Sequence, residues 1–322
     1  MTDGAAATLS LGLVNFSVDS PGNWSTMLDR AQAADAVGID RLVVVDHVVM
    51  GPSADEYDGG AFPTGPGGAW LEPLTVLGVL TGMTSRVRLI TSILVAPLRR
   101  PVVLAKSLAT LDVLSGGRLD VGMGVGWQAA EYVAAGLDFR ARGRLLDDTL
   151  GVCKALWTDS PASYHSANLD FDDIWCEPKP LQHGGVPIWL GGTLNPANAA
   201  RIVRHASGWM PWGRHRTDLP AAVVELRNLL DDGGRDPESV VVQGTIPTVA
   251  SSDGRLDLGT MLQDVPRLVR SGVTDFVVRP PLPVDGMTGG VGGAGAAVTA
   301  GDEAMLGELL DRFREAASGS KR

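Results

Sequence analysis

The sequence predicts an α/β fold, a single (β/α)8 barrel over residues 1–322. Three observations predict it. Strand-like and helix-like segments alternate from end to end, eight strand candidates are each followed by a helix or a helix-like connection, and no linker splits the chain. A chain of 322 residues with 44% hydrophobic content can bury a large core, and this length also suits two ordinary domains. The repeated βα alternation favours one barrel over an open doubly wound sheet.

Leu9 to Phe16 reads as the first strand, and Trp24 to Val37 as an amphipathic helix stopped by Gly38. Arg41 to Asp46, rich in valine, is the second strand. Pro73 to Met83 is helical, Val87 to Val95 is β-branched and strand-like, and Pro101 to Leu114 is a helix with proline in its first turn. Leu119 to Val125 is the fourth strand, and a helix runs from Arg142 to Trp157. The later strands are Ile188 to Leu190, Gly208 to Met210, Val240 to Val249 and Asp275 to Val278. They are separated by helical patterns at Pro196 to His205, Leu219 to Leu230 and Met261 to Val269, and a last helix covers Glu303 to Ala316.

Three insertions interrupt the pattern. Gly51 to Gly68 follows strand two and Pro280 to Gly301 follows strand eight, so both belong to the face where the strands end; their Gly and Pro content makes them lid candidates. Thr158 to Pro187 precedes strand five, and its Ser-Tyr-His-Ser and Leu-Asp-Phe pieces suit a small hairpin.

Composition excludes several classes. A net charge of −10 without clustered Lys and Arg argues against a nucleic-acid surface. The N-terminal residues lack the basic and apolar regions of a signal peptide, and no apolar run reaches the length of a membrane span, so the expectation is a cytoplasmic protein without a membrane partner. Cys153 and Cys176, the only cysteines, are expected to be reduced thiols. The five histidines show no metal-ligand spacing, so no metal site is implied.

In such a barrel, ligands meet the C-terminal ends of the strands. The residues there are Asp46 and His47, Thr91 to Val95, Gly124 to Trp127, Gly191, Gly192 and Trp209. Asp46-His47 closes a strand of mostly apolar residues and presents a carboxylate and an imidazole together, a pairing suited to proton donation or acceptance. The same pair could instead cap a turn and pack against the following loop. Gly191-Gly192-Thr193 leads into a helix, and bare amides at such a turn suit a phosphate, although an ordinary βα turn has the same look.

The stretch from Ser115 to Trp127 holds most of the glycines. Gly116 and Gly117 can close the preceding helix, and the strand after them ends in Gly-Met-Gly-Val-Gly-Trp127. Gly124-Val-Gly-Trp-Gln-Ala129 fits the dinucleotide fingerprint, and Leu-Asp-Val-Gly-Met-Gly fits the first motif of methyltransferases that use S-adenosylmethionine. Tight strand packing would call for the same glycines.

Taken as a set, the motifs resemble the luciferase-like flavin monooxygenase superfamily, in its actinobacterial branch dependent on coenzyme F420. They are Val-Val-Asp46-His47-Val-Val, Pro97-Leu-Arg-Arg-Pro101-Val-Val-Leu-Ala-Lys106, Leu-Ala-Thr-Leu-Asp112-Val-Leu-Ser-Gly-Gly-Arg118, Gly122-Met-Gly-Val-Gly-Trp127 and Pro187-Ile-Trp-Leu-Gly-Gly192. Glu131, Arg142-Gly143-Arg144 and Gly208-Trp209-Met-Pro211 extend the match over roughly residues 9 to 212. With that, the methyltransferase reading falls.

The resemblance implies a luciferase-like barrel, with insertions after strands two and eight and before strand five, and a deazaflavin ring over the strand ends. It implies that Asp46 contacts the ring and that His47 donates a proton, the two forming the catalytic pair. Val95, Val125, Gly126 and Trp127 would line the ring. Gly191, Gly192, Leu194 and Asn195 would hold the phosphate of the tail. Members of the family support the ring with a bulge containing a non-proline cis peptide, and the matching bond lies between Ser92 and Ile93.

Departures narrow the reading. The family's sugar-phosphate dehydrogenases carry glutamate where Trp127 stands and asparagine where Ala130 stands, and Ser207 replaces an aspartate common before the Gly-Trp pair. The expectation is therefore an F420-dependent oxidoreductase acting on a small organic molecule, with a homodimer as the default assembly. The alternatives are an FMN-dependent monooxygenase and a flavin-binding barrel without turnover.

Overall fold

The computed structural model describes residues 6–18, 24–54, 57, 62–253, 255–280 and 294–319, with the backbone alone at 294–300. Eight parallel strands form the barrel: β1 (Thr8–Gly12), β2 (Arg41–Val44), β3 (Arg88–Thr91), β4 (Val121–Gly124), β5 (Ile188–Gly192), β6 (Gly208–Pro211), β7 (Val241–Ile246) and β8 (Asp275–Val278). The order runs β3-β2-β1-β8-β7-β6-β5-β4. A short continuation of β3, Leu94–Val95, then pairs with β4 through Leu94↔Met123 and Val95↔Gly124. Together with the Leu89↔Leu119 bridge, this brings the two ends of the sheet together.

The strands are apolar on both faces because helices cover the outside and side chains fill the inside. Along β2, Leu42 and Val44 join the core beneath the helices, whereas Val43 points inward to Ile90, Trp189, Met210 and Val277. Below that apolar layer lies an ionic one. Arg41 reaches Asp275 at 2.9 Å and Asp120 at 3.2 Å, and Ser10 and Gln243 donate to Asp275 at 2.9 and 2.8 Å. The N-terminal end of the barrel is thus plugged, which leaves the C-terminal mouth for a ligand.

The helices α1 (Ser25–Val37), α2 (Pro73–Met83), α3 (Pro101–Ser115), α4 (Arg142–Thr158), α5 (Pro196–His205), α6 (Leu219–Asp232), α7 (Val265–Ser271) and α8 (Ala294–Ser318) follow the expected order. Pro73 occupies the first turn of α2, and the Glu72 side chain caps it by accepting from Thr75 N at 2.7 Å. At the end of α3, Gly116 and Gly117 take φ of 69° and 80°, and Gly117 N returns to Asp112 O at 2.8 Å.

Several boundaries differ from the sequence reading. The first strand stops at Gly12, and Phe16–Ser17 pairs antiparallel with Ala69–Trp70 instead. Asn15 holds that crossing, donating to Val45 O at 2.8 Å and Leu71 O at 3.0 Å and accepting from Val45 N at 3.0 Å. The third strand is not continuous from Val87 to Val95: it breaks at Ser92-Ile93, where the peptide is cis. The helical pattern at Met261 to Val269 is two pieces, Leu258–Leu262 and α7, because Pro266 has no N–H for the Leu262 carbonyl. The last helix begins earlier, at Ala294.

The expected hairpin is present, with Ala162–His165 paired to Asp170–Ile174. Of the lid candidates, residues 55, 56 and 58–61 of the first and 281–293 of the second lie outside the described residues. Among the described residues no helix is long and apolar enough to cross a membrane.

Candidate functional site

Asp46 sits just past β2, and its carboxylate is fully engaged. Oδ2 accepts from Val95 N at 2.8 Å and from Arg99 Nη1 at 2.7 Å, while Oδ1 accepts from Arg99 Nη2 at 3.1 Å. Arg99 also donates to Glu72 at 2.7 Å. Burial works against the Arg99 charge, but hydrogen bonds and attraction from Asp46 and then Glu72 outweigh it and hold the pKa above its ordinary value. A carboxylate paired in this way anchors the continuation of β3 to the end of β2.

His47 turns the other way. Its Nδ1 lies 3.2 Å from Glu131 Oε2, and Glu131 Oε1 accepts from Val48 N at 2.9 Å. Glu131, on the short helix Ala129–Ala134, is 1% exposed, so a buried carboxylate fixes the imidazole. Nε2 makes no hydrogen bond among the described residues. Phe62, Trp70 and Trp127 meet the ring edge-on, with centroids at 5.4, 4.7 and 5.7 Å. Tyr57 packs on Phe62 and Trp127 at 5.2 and 5.4 Å and on Trp212 at 5.9 Å, which extends an aromatic wall across the mouth.

Ser92 and Ile93 lie at the break in the third strand. Ile93 caps the interior apolar layer and is half-buried. Its fit depends on two glycines of facing strands: a Cβ on Gly124 would meet Ile93 Cδ1 at 2.8 Å, and one on Gly191 would meet Cγ2 at 2.6 Å. Gly126 takes a left-handed φ of 67° beside Val95, and Val125 O accepts from Tyr132 Oη at 2.6 Å. The structure therefore gathers Ser92, Ile93, Val95, Gly126 and Trp127 near the mouth.

Gly191 and Gly192 end β5. Trp209 Nε1 donates to Gly192 O at 2.9 Å, Gly192 takes φ of 121°, and Asn195 caps α5 by accepting from Asn198 N at 3.1 Å. Asn198 Nδ2 donates to Thr193 O at 2.9 Å. The N–H groups of Thr193 and Leu194 make no hydrogen bond among the described residues. Unpaired amides at a helix N-terminus fit a phosphate group.

Sequence reasoning did not assign the partner roles of Arg99 and Glu131, nor the wall residues Tyr57, Phe62, Trp70 and Trp212. Glu131, a few residues after the glycine-rich strand, was a usable signal, because a carboxylate there can reach the end of a neighbouring strand. The wall residues sit on connections, where periodicity carries no information.

The barrel is closed at one end and carries an oriented histidine and a glycine-rich rim at the other. The chain belongs to the luciferase-like monooxygenase family, whose model matches residues 8–257. An uncharacterized protein of Mycobacterium tuberculosis (strain ATCC 25618 / H37Rv) is 31% identical over 274 residues, 84% of this chain and 91% of the relative. The FMNH(2)-dependent dimethylsulfone monooxygenase of Pseudomonas putida is 29% identical over 201 residues, 60% of this chain and 52% of that one. Among solved structures, an F420-dependent secondary alcohol dehydrogenase in complex with an F420-acetone adduct superposes with a TM-score of 0.70 at 15% identity, covering 96% of this chain and 99% of its own. At that identity the likeness is one of fold.

Proposed function

We propose that this protein is an oxidoreductase that uses coenzyme F420 to move a hydride to or from a small organic substrate, working in the cytoplasm as a homodimer. The reading is carried by His47, an imidazole with one nitrogen held by the buried Glu131 and the other without a partner among the described residues. Nε2 would take the proton of a substrate hydroxyl on oxidation, or give one to a carbonyl oxygen on reduction. The aromatic wall would exclude water from the bound substrate, which strengthens such a contact. Bound F420 would supply or accept the hydride.

The chain's part is to hold and orient. Ile93, with Ser92, Val95, Val125, Gly126 and Trp127, would seat the ring. Gly191, Gly192, Leu194 and Asn195 would hold the phosphate through the amide turn. Asp46 acts as a positioning residue, through Arg99 and the Val95 amide, and keeps the seat in place.

A second reading, an FMN-dependent monooxygenase, is favoured by the 29% identity to a monooxygenase that uses FMNH(2). Titration of the purified protein with F420 and with FMN, followed by cofactor fluorescence, tests both. Quenching of F420 at lower concentration than FMN is expected. Tight FMN binding with no F420 binding moves the assignment to the second reading, and binding of neither overturns both. Size-exclusion chromatography tests the dimer.

A further inference from the structure

One cation at the mouth has no role in the site described so far. Arg279 follows β8 directly and continues its inward alternation: Asp275 enters the ionic layer, Val277 the apolar layer, and Arg279 comes out above them. Its side chain lies along the α-carbon of Gly12 at the end of β1, where a Cβ would collide with its Cγ and come within 2.9 Å of its Nε. The guanidinium is half-buried and makes no hydrogen bond or ion pair among the described residues. Taking a guanidinium even partly out of water costs free energy that an incoming anion would offset.

The surroundings add positive charge instead of cancelling it. Burial, and then repulsion from Arg216, hold the Arg279 pKa below its ordinary value, with only Tyr57 acting the other way. Arg216 itself stacks over Trp212 at 5.5 Å and has no ion-pair partner among the described residues. Trp212 and Tyr57 belong to the aromatic wall that runs to His47.

We propose that Arg279, backed by Arg216, is an anion subsite for the substrate, so that the compound oxidised or reduced here carries a carboxylate on an apolar, planar body. The inference rests on the reading of the mouth as an oxidoreductase site. A planar guanidinium fork matches a carboxylate through two parallel hydrogen bonds, and the aromatic wall covers the rest of such a molecule. The anion belongs to the substrate and not to the cofactor tail because of the strand order. The amide turn follows β5, three strands along from the β8 that carries Arg279, and so lies across the barrel mouth from it.

Calorimetry with 2-naphthoate and its neutral counterpart 2-naphthamide tests the subsite without any cofactor. The natural protein is expected to bind the naphthoate about 10- to 100-fold tighter, the scale of a charge-assisted hydrogen bond. Arg279→Gln should erase that preference and Arg279→Lys should keep part of it, while F420 binding, read by fluorescence, is unchanged in both. Equal affinity for the two probes in the natural protein overturns the proposal, as does a preference that survives Arg279→Gln. Loss of F420 binding in Arg279→Gln assigns the arginine to the cofactor's acidic groups and also overturns it. If no variant binds F420 yet the naphthoate preference depends on Arg279, the anion subsite stands and the cofactor assignment is what fails.

Discussion

Glu131 holds two partners at once, the His47 imidazole at 3.2 Å and the Val48 amide at 2.9 Å. One buried carboxylate therefore fixes both the ring and the backbone that carries it. If Nε2 exchanges a proton during turnover, His47→Ala should lower kcat by about 10²- to 10⁴-fold with cofactor affinity little changed. Glu131→Gln, which can still bond both partners, should lower kcat less. Steady-state kinetics with thermal melts as a folding control checks this, and equal turnover in His47→Ala would confine the histidine to packing.

Asp46 and Arg99 should behave as a unit. The Asp46 side chain is fully buried and the Arg99 side chain is 15% exposed. Removing the carboxylate leaves Arg99 with Glu72 alone and the Val95 amide without its acceptor, so Asp46→Ala should cost about 1–3 kcal/mol of stability. The double variant Asp46→Leu/Arg99→Met should recover much of it, because it removes both charges. Urea denaturation of the single and double variants measures the coupling; additive losses would mean that the two side chains contribute separately.

The barrel was legible because its signals are local. Alternation, the caps at Gly38 and Gly116, and prolines at Pro73 and Pro101 follow from backbone sterics that act within a few residues. Where the reading drifted, long-range geometry decided the outcome. The first strand ends at Gly12 because Asn15 is drawn to Val45 and Leu71, residues far along the chain. The site was half legible for the same reason. Asp46 and His47 are adjacent in sequence, but their partners, Arg99 and Glu131, come from different connections and send the two side chains to different work.

Asp35 links stability to pH. It lies near the end of α1 and accepts from the amides of Ser85, Arg86 and Val87 at 2.9, 2.8 and 2.8 Å. Burial pushes its pKa up, but the three amides outweigh burial and leave it below the ordinary value. A depressed folded pKa gives stability that is complete above the unfolded value, about 3.9, and is lost as pH falls through the folded value. Asp35→Asn should therefore lower stability by about 1 kcal/mol at neutral pH. Thermal melts at pH 7 and pH 3 should show the difference in Tm narrowing at the acid end; an unchanging difference would mean the charge is not what the amides recognise.

Ile93 wedges between Gly124 and Gly191, and this changes what a substitution at Gly191 should do. From the sequence, a β-branched residue at 191 is expected to block the amides from a phosphate. In the structure, its Cβ would point at Ile93 Cγ2, 2.6 Å away, and the free amides lie further on at Thr193 and Leu194. Gly191→Ala should therefore displace Ile93, cost about 1–3 kcal/mol by overpacking, and weaken cofactor binding through the ring seat. Ile93→Ala makes room for the added methyl, so the double variant Gly191→Ala/Ile93→Ala should regain stability relative to Gly191→Ala alone. A phosphate-blocking effect predicts the opposite, since trimming Ile93 would leave the amides just as obstructed. Urea denaturation together with F420 titration of the two single variants and the double separates these outcomes.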